Sequence, residues 1–104
     1  MFPNMNPFEL MKAVGSIQSQ MKTIKEELQK ITATGSAGAG LAEATVNGDF
    51  TVQKITISDA AMSMNDKGTL EVLIASAVND AIAKAKEATE ARSREILQNI
   101  ERRG

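Results

Sequence analysis

The chain lacks the side chains on which catalysis and metal binding most often depend. Its 104 residues include no cysteine and no histidine, which excludes disulfide frameworks, zinc–thiolate sites and imidazole general bases. The 13 acidic residues are scattered over positions typical of solvated helix faces. We therefore predict a protein that is not an enzyme, holds no cofactor or metal, and acts on no small-molecule substrate.

Aromatic side chains and long apolar runs are also scarce. There is no tryptophan or tyrosine and there are only three phenylalanines, so reading of nucleic acid by base stacking is not expected. No stretch approaches the roughly 18 apolar residues of a membrane span, and the first residues carry no secretory pattern. A cytoplasmic protein without membrane contact is expected. The net charge of −1 means that any binding of nucleic acid must use local clusters of basic residues.

The first helix has a recognisable start and a narrow apolar row. Residues 1–6 are expected to be a flexible N-terminus, with Asn6 capping a helix over about 7–30, Pro7 in its first turn and Glu9 favouring the helix dipole. Apolar side chains then recur with a 3.5-residue period typical of helix–helix contacts: Leu10, Val14, Ile17, Met21, Ile24, Leu28 and Ile31. Packing on its own domain and contact with a partner chain are both compatible with this row.

The middle of the chain predicts a three-stranded antiparallel meander. β-Branched alternation and glycines favour strands over about 31–34, 41–46 and 50–57, with Asn47-Gly48 forming a type I′ hairpin turn. The apolar positions change parity within the third strand. This change indicates either a β-bulge near Gln53-Lys54 or burial of both faces of the strand.

A glycine-rich segment precedes the second strand. Gly35 and Gly40 have the spacing of a phosphate-binding loop, but Leu41 and Ala42 follow where such a loop needs lysine and then serine or threonine. The segment is therefore interpreted as a flexible or tight connection between strands that uses the positive φ angles open to glycine.

The C-terminal third predicts a long helix that outgrows a compact domain. After a loop with a possible short turn over Ser58 to Lys67, Asp66 is expected to cap a helix over about 67–102. Its first half carries a broad apolar face, formed by Leu70, Leu73, Ile74, Ala77, Val78, Ala81 and Ile82. Between Ala83 and Glu95 the apolar positions become small, before Ile96, Leu97 and Ile100 restore some apolar bulk. Such a helix is about 54 Å long, more than a compact chain of this size can enclose, so part of it is expected to project as an arm.

Ten of the twelve basic residues lie on the two helices. Three pairs at i,i+4 spacing, Glu26–Lys30, Lys86–Glu90 and Glu90–Arg94, could neutralise many of them within the helices. A solvated charged face and a surface that contacts DNA phosphates are both compatible with this pattern. No helix-turn-helix, zinc-finger or RNA-recognition signature accompanies it.

Several segments resemble one family over nearly the whole chain. Four segments resemble the YbaB/EbfC family and follow one another in the same order: TGSAGAGL from Thr34 to Leu41, Val46-Asn47-Gly48, Ile55-Thr56-Ile57, and AVNDA from Ala77 to Ala81. The first helix, which carries methionine and glutamine, resembles the family as well. This resemblance implies an α+β fold in α-β-β-β-α order, with a three-stranded antiparallel sheet, two long helices projecting as arms, and a tweezer-like homodimer that forms through the sheet region. Residues 7–104 would then form a single YbaB/EbfC-like domain.

The resemblance also implies a function. Members of the family are nucleoid-associated and bind double-stranded DNA, which suggests a role for this chain in nucleoid organisation and gene regulation in the bacterial cytoplasm. The candidate DNA-contacting residues are basic side chains on the two helices: Lys22, Lys25, Lys84, Lys86, Arg92 and Arg94. Asn79 and Asp80 are expected to tie the second helix to the sheet by hydrogen bonds. The alternative is a helical protein-interaction module that binds DNA only incidentally.

Overall fold

The computed structural model describes residues 6–103, with side chains described as far as Asn99. The expected α-β-β-β-α order is confirmed, with one additional short helix before the last. In chain order the elements are α1 (Pro7–Gln29), β1 (Thr32–Ala37), β2 (Ala42–Asn47), β3 (Val52–Ile57), α2 (Asp59–Ser63) and α3 (Lys67–Arg103). Most of the N-terminal segment expected to be flexible, residues 1–5, lies outside the described residues.

The helix starts follow the capping residues read from the sequence. The Glu9 N–H donates to Asn6 Oδ1 at 2.8 Å, and Pro7 occupies the first turn. The Thr69 N–H donates to Asp66 Oδ1 at 3.1 Å, so the predicted cap of α3 is confirmed as well.

The segment expected to be a loop contains α2, where Ser58 Oγ accepts from the Ala61 N–H. Burial of Ala61 fixes this turn against the rest of the fold, which local propensity alone did not indicate.

The three strands form an antiparallel sheet in the order β1-β2-β3. Thr45 pairs with Lys54 and Val46 pairs with Val52, so Gln53 is an extra, unpaired residue in β3. This confirms the β-bulge interpretation of the parity change. Because directly opposed residues share a face, the bulge brings Val52 to the same face as Ile55.

The hairpin turn between β2 and β3 differs from the predicted type I′ turn. That turn would need positive φ angles at both Asn47 and Gly48, and neither residue has one. Instead the Phe50 N–H donates to the Asn47 carbonyl at 2.9 Å, and Phe50 itself has a φ of 61°. Asn47 Oδ1 also accepts from the N–H groups of Asp49 and Thr51, both at 3.0 Å. The asparagine side chain therefore organises a longer loop than the two-residue turn that the Asn-Gly pair suggested.

The first strand is longer than predicted. It runs over Thr32–Ala37 rather than 31–34, and it includes half of the glycine-rich segment. Gly35 is buried within it, and a Cβ atom at this position would overlap the backbone nitrogen of Ala81 in α3. The interpretation of the segment as a connection is therefore correct only for its second half, where Gly38 and Gly40 have positive φ angles. Gly35 instead allows α3 to lie directly on the strand.

The core between the sheet and α3 is built almost wholly from small side chains. One face of β2 contributes Ala42, Ala44 and Val46, and α3 contributes one alanine per turn: Ala77, Ala81 and Ala85. Alanines let the helix axis come close to the sheet, at the cost of a thin apolar layer. Val46 is the largest fully buried side chain among the described residues.

The cluster of core residues ends at Ala85, whereas α3 continues for 18 more residues, in which Thr89 and Ile96 are the buried side chains among those described. The molecule extends 69 Å along its long axis, and its radius of gyration of 20.5 Å well exceeds the roughly 13 Å of a compact chain of this length. The expectation of projecting helices is therefore confirmed. We refer to residues 7–30 and 83–103 as the arms and to residues 31–82 as the base.

Candidate nucleic-acid interface

The two arms are joined by an ion pair near the point where they leave the base. Arg92 of α3 donates to Glu27 of α1 at 3.1 Å and to Glu95 of its own helix at 2.9 Å. The hydrogen bond from Arg92 and the charge of Lys30 lower the pKa of the Glu27 carboxyl. The pKa of Arg92 is raised, chiefly by Glu95 and then by Glu27. Arg92, predicted as a DNA contact, therefore already has two carboxylate partners.

The hairpin loop packs into the same junction. The Gly48 N–H donates to the Ile31 carbonyl at 3.0 Å, and a Cβ atom at Gly48 would overlap the Leu28 carbonyl oxygen. The same position lies close to Thr89, which is buried in α3. The end of α1, the hairpin loop and the middle of α3 thus meet at one point, which positions the arms relative to the sheet. The sequence carried no local signal for this contact, since its members are far apart in the chain.

The six predicted DNA-contacting residues divide into two groups. Lys84 pairs with Asp80 at 3.0 Å, and Arg92 pairs with Glu27 and Glu95. The other four are exposed and have no ion pair within 4 Å among the described residues: Lys22, Lys25, Lys86 and Arg94. An exposed, unpaired cation can approach a phosphate without first breaking an internal salt bridge.

None of the three i,i+4 pairs that the sequence allowed is formed. Lys30 pairs with Glu27, three residues before it, rather than with Glu26. Neither Lys86 nor Arg94 lies within 4 Å of the Glu90 carboxylate. Exposed i,i+4 pairs contribute only about 0.3–0.5 kcal/mol, too little to hold two long side chains together when other rotamers are open. The i,i+4 pair of Lys84 with Asp80 forms where the Ser36 N–H already holds the carboxylate.

Charge is unevenly distributed between the arms and the base. The arms carry ten basic and seven acidic residues, a net charge of +3, whereas the base carries two basic and six acidic residues, a net charge of −4. A polyanion is therefore attracted to the arms and repelled from the sheet. The overall charge of −1 conceals this difference.

Asp80 joins α3 to the edge of the sheet. Its Oδ2 atom accepts from the backbone N–H of Ser36 at 3.0 Å, and this hydrogen bond, followed by that from Lys84, lowers the pKa of the Asp80 carboxyl. The predicted tie between α3 and the sheet is confirmed for Asp80. Asn79 is exposed and makes no side-chain hydrogen bond among those of the described residues, so the prediction was wrong for it.

Asp80→Ala is therefore expected to lower the thermal midpoint by a few degrees, whereas Asn79→Ala, the matched control, should leave it unchanged. Because the folded-state pKa of Asp80 lies below its ordinary value of 3.8, the contribution of this carboxylate is present above that value and is lost as pH falls through the folded-state pKa. Thermal melts at neutral pH and near pH 3 would measure both effects. Equal midpoints for Asp80→Ala and Asn79→Ala at neutral pH would contradict the tie.

The sheet face that carries the core is only half covered. α3 packs on β1 and β2, whereas β3 lies beyond its edge, and Ile57 is the one residue of that strand that is partly buried rather than exposed. Ile55 and Val52 oppose the buried residues Ala44 and Val46, so they point to the α3 side, yet they are 38% and 43% exposed. An apolar strip beside the core thus remains open to solvent in the single chain.

No helix among residues 6–103 has the length and apolar character needed to cross a membrane.

Comparison with known proteins identifies the family. Residues 2–100 match the model of the YbaB/EbfC DNA-binding family. The chain is 33% identical over 92 residues to the nucleoid-associated protein EbfC of Borreliella afzelii, covering 88% of this chain and 93% of that one. It is 40% identical over 86 residues to a nucleoid-associated protein of Francisella philomiragia, covering 83% and 77% respectively.

A solved structure has the same fold. The crystal structure of the uncharacterized protein HP0035 from Helicobacter pylori superposes with a TM-score of 0.72 at 19% identity, covering 90% of this chain and 99% of that one. With its α-β-β-β-α order, its projecting helices and the family match along residues 2–100, the chain belongs to the YbaB/EbfC DNA-binding family.

Proposed function

We propose that this chain is a nucleoid-associated protein that binds duplex DNA through its arms. The observation that carries the proposal is the separation of charge between arms and base in a member of a DNA-binding family. Two relatives that match most of the chain are named nucleoid-associated proteins. The proposal includes no catalytic step, and it places the protein on the nucleoid in the cytoplasm.

Phosphate contacts are assigned to the exposed basic residues of the arms. Lys22 and Lys25 on α1 and Lys86 and Arg94 on α3 are the strongest candidates, because none of them forms an ion pair with the side chains that the structure describes. Contacts of this kind position a protein on DNA without reading the bases. We therefore expect binding that tolerates most sequences, with effects on gene expression that follow from where the protein accumulates.

The binding unit is proposed to be a homodimer. The exposed strip formed by Val52 and Ile55 continues the apolar core, and it is covered if a second copy packs its own strip there. The alanine core of a single chain buries little apolar area, so the chain gains stability if the strip is buried as well. In a dimer joined at the bases, two pairs of arms project from one particle, so two basic surfaces of modest charge can bind the same DNA bivalently.

Titrating duplex DNA at several salt concentrations tests the contact mechanism. Since each neutralised phosphate contributes a slope of about −0.9 to log K against log salt, four contacts per chain predict a total slope of roughly −7 for a dimer. The affinity for nonspecific duplex is expected in the micromolar range or weaker at physiological salt. A slope near zero would rule out phosphate contact as the source of affinity.

Light scattering tests the dimer through one residue of the strip. Ile55→Asp places a charge on the proposed interface and should reduce the mass to one chain and weaken DNA binding. Thr56→Asp is the matched control, since Thr56 lies on the opposite, polar face of the same strand. A protein-interaction module would give a different result: partner capture that survives nuclease treatment, with no shift of duplex DNA at any salt concentration.

A further inference from the structure

The outer half of α1 presents a row of apolar side chains that nothing in the described chain covers. Leu10, Val14, Ile17 and Met21 are 42%, 45%, 51% and 65% exposed, and we call these four residues the outer row. No residue of α1 is buried. A helix of 23 residues with no buried side chain gains little from packing, and helical propensity alone leaves such a segment marginal in water.

The outer row continues a contact that the chain already makes. The same 3.5-residue period places Ile24 and Leu28 at the next two positions, on either side of the turn from which Glu27 pairs with α3, and both side chains are partly buried. One end of a regular helix–helix row is therefore engaged within the chain, and the other end is free. The periodicity is that of a coiled coil, in which a second helix covers such positions.

The residues that flank the outer row indicate what kind of helix it fits. On a helical projection its neighbours are Met11, Ala13, Gln18 and Gln20, and none of the four carries a charge. Two identical rows can therefore meet without the like-charge repulsion that lysines or glutamates at these positions would cause. The engaged half of α1 is flanked by Lys25 and Glu27, and there Glu27 pairs with Arg92.

We propose that the outer row is a self-association surface that pairs with the outer row of a second copy, in a contact separate from the base. This inference rests on the proposed function, because it takes the base-joined dimer as the unit that associates. A chain with two separate isologous contacts links dimers to one another. The outer row would thereby join neighbouring dimers on DNA. With only four side chains per copy, the association is expected to be weak and dependent on concentration.

Site-specific cross-linking tests the contact directly, because the natural chain has no cysteine. When two outer rows pair in parallel, Ile17 meets its own copy, and when they pair antiparallel over Leu10 to Met21, Ile17 meets Val14. Ile17→Cys, alone or mixed with Val14→Cys, is therefore expected to form a disulfide between chains under mild oxidation. Val72→Cys is the control, since Val72 is 66% exposed on α3 and lies outside the row. Equal cross-linking of the two variants would overturn the proposal.

Light scattering over a range of concentrations completes the test. The natural protein should rise from the mass of two chains towards four or more, and Ile17→Glu should remain at two, with its association weakened about tenfold or more. Val72→Glu should behave as the natural protein. A natural mass fixed at two chains, with or without cross-linking of Ile17→Cys, would overturn the proposed linkage of dimers while leaving DNA binding by a dimer intact. A mass of one chain would instead contradict the proposed function.

Discussion

Gly35→Ala is expected to destabilise the protein by about 3 kcal/mol, a large part of the stability of a chain with so thin a core. The added Cβ would overlap the backbone nitrogen of Ala81 and lie 2.5 Å from the Ala77 carbonyl oxygen. Backbone atoms cannot rotate away as the end of a side chain can, so α3 would have to lift from β1. Urea unfolding at a fixed protein concentration, followed by circular dichroism, measures the effect.

Gly15→Ala is the matched control for this substitution. Gly15 lies inside α1 with open space around the position of a Cβ atom. Alanine there should be neutral or stabilise the helix by up to about 1 kcal/mol. If Gly35→Ala and Gly15→Ala had the same midpoint, the close approach of α3 to the sheet would be wrong.

Reversal of four arm charges is expected to reduce the affinity for duplex DNA by about 100-fold or more at moderate salt, because each lost phosphate contact also removes about one unit of the salt slope. The variant combines Lys22→Glu, Lys25→Glu, Lys86→Glu and Arg94→Glu. All four side chains are exposed and unpaired within the described chain, so the fold and the mass should be unchanged. Fluorescence anisotropy with a labelled duplex, repeated at several salt concentrations, gives both affinity and slope.

Two comparisons make this result specific to the arms. Lys54→Glu with Lys67→Glu alters exposed basic residues of the base, and it should change the affinity by no more than about twofold. Arg92→Gln should alter the salt slope less than Arg94→Gln, because Arg92 already pairs with Glu27 and Glu95. If the base variant weakened binding as strongly as the arm variant, net charge rather than the arms would control affinity.

Elements specified by local chemistry were predictable from the sequence. The caps at Asn6 and Asp66 satisfy backbone N–H groups three residues away, so the signal and the structure lie within one turn. The bulge at Gln53 was visible as a change of parity between apolar residues of a single strand. The projection of the arms followed from length alone, because a helix of 37 residues cannot fold back on itself.

Predictions that depended on distant partners were less successful. Asn47-Gly48 has the composition of a type I′ turn, but Gly48 is instead packed against the end of α1, and the chain turns through Phe50. The glycine-rich segment was predicted to be a connection throughout, but its first half belongs to β1, where Gly35 lies directly under α3. Arg92 was predicted to contact DNA, since its pairing with Glu27, 65 residues away in the chain, left no signal in the sequence.

The sequence by itself determined the two long helices, the strand order in outline, the family and the placement of basic residues on the arms. Periodicity, capping and composition act over a few residues, and the chain alone carries that information. The tertiary structure decided that Arg92 is paired with Glu27, since a salt bridge between two helices depends on which faces of the helices meet. It also decided that β3 and the outer half of α1 remain uncovered, because burial is a property of how elements pack and not of any single element.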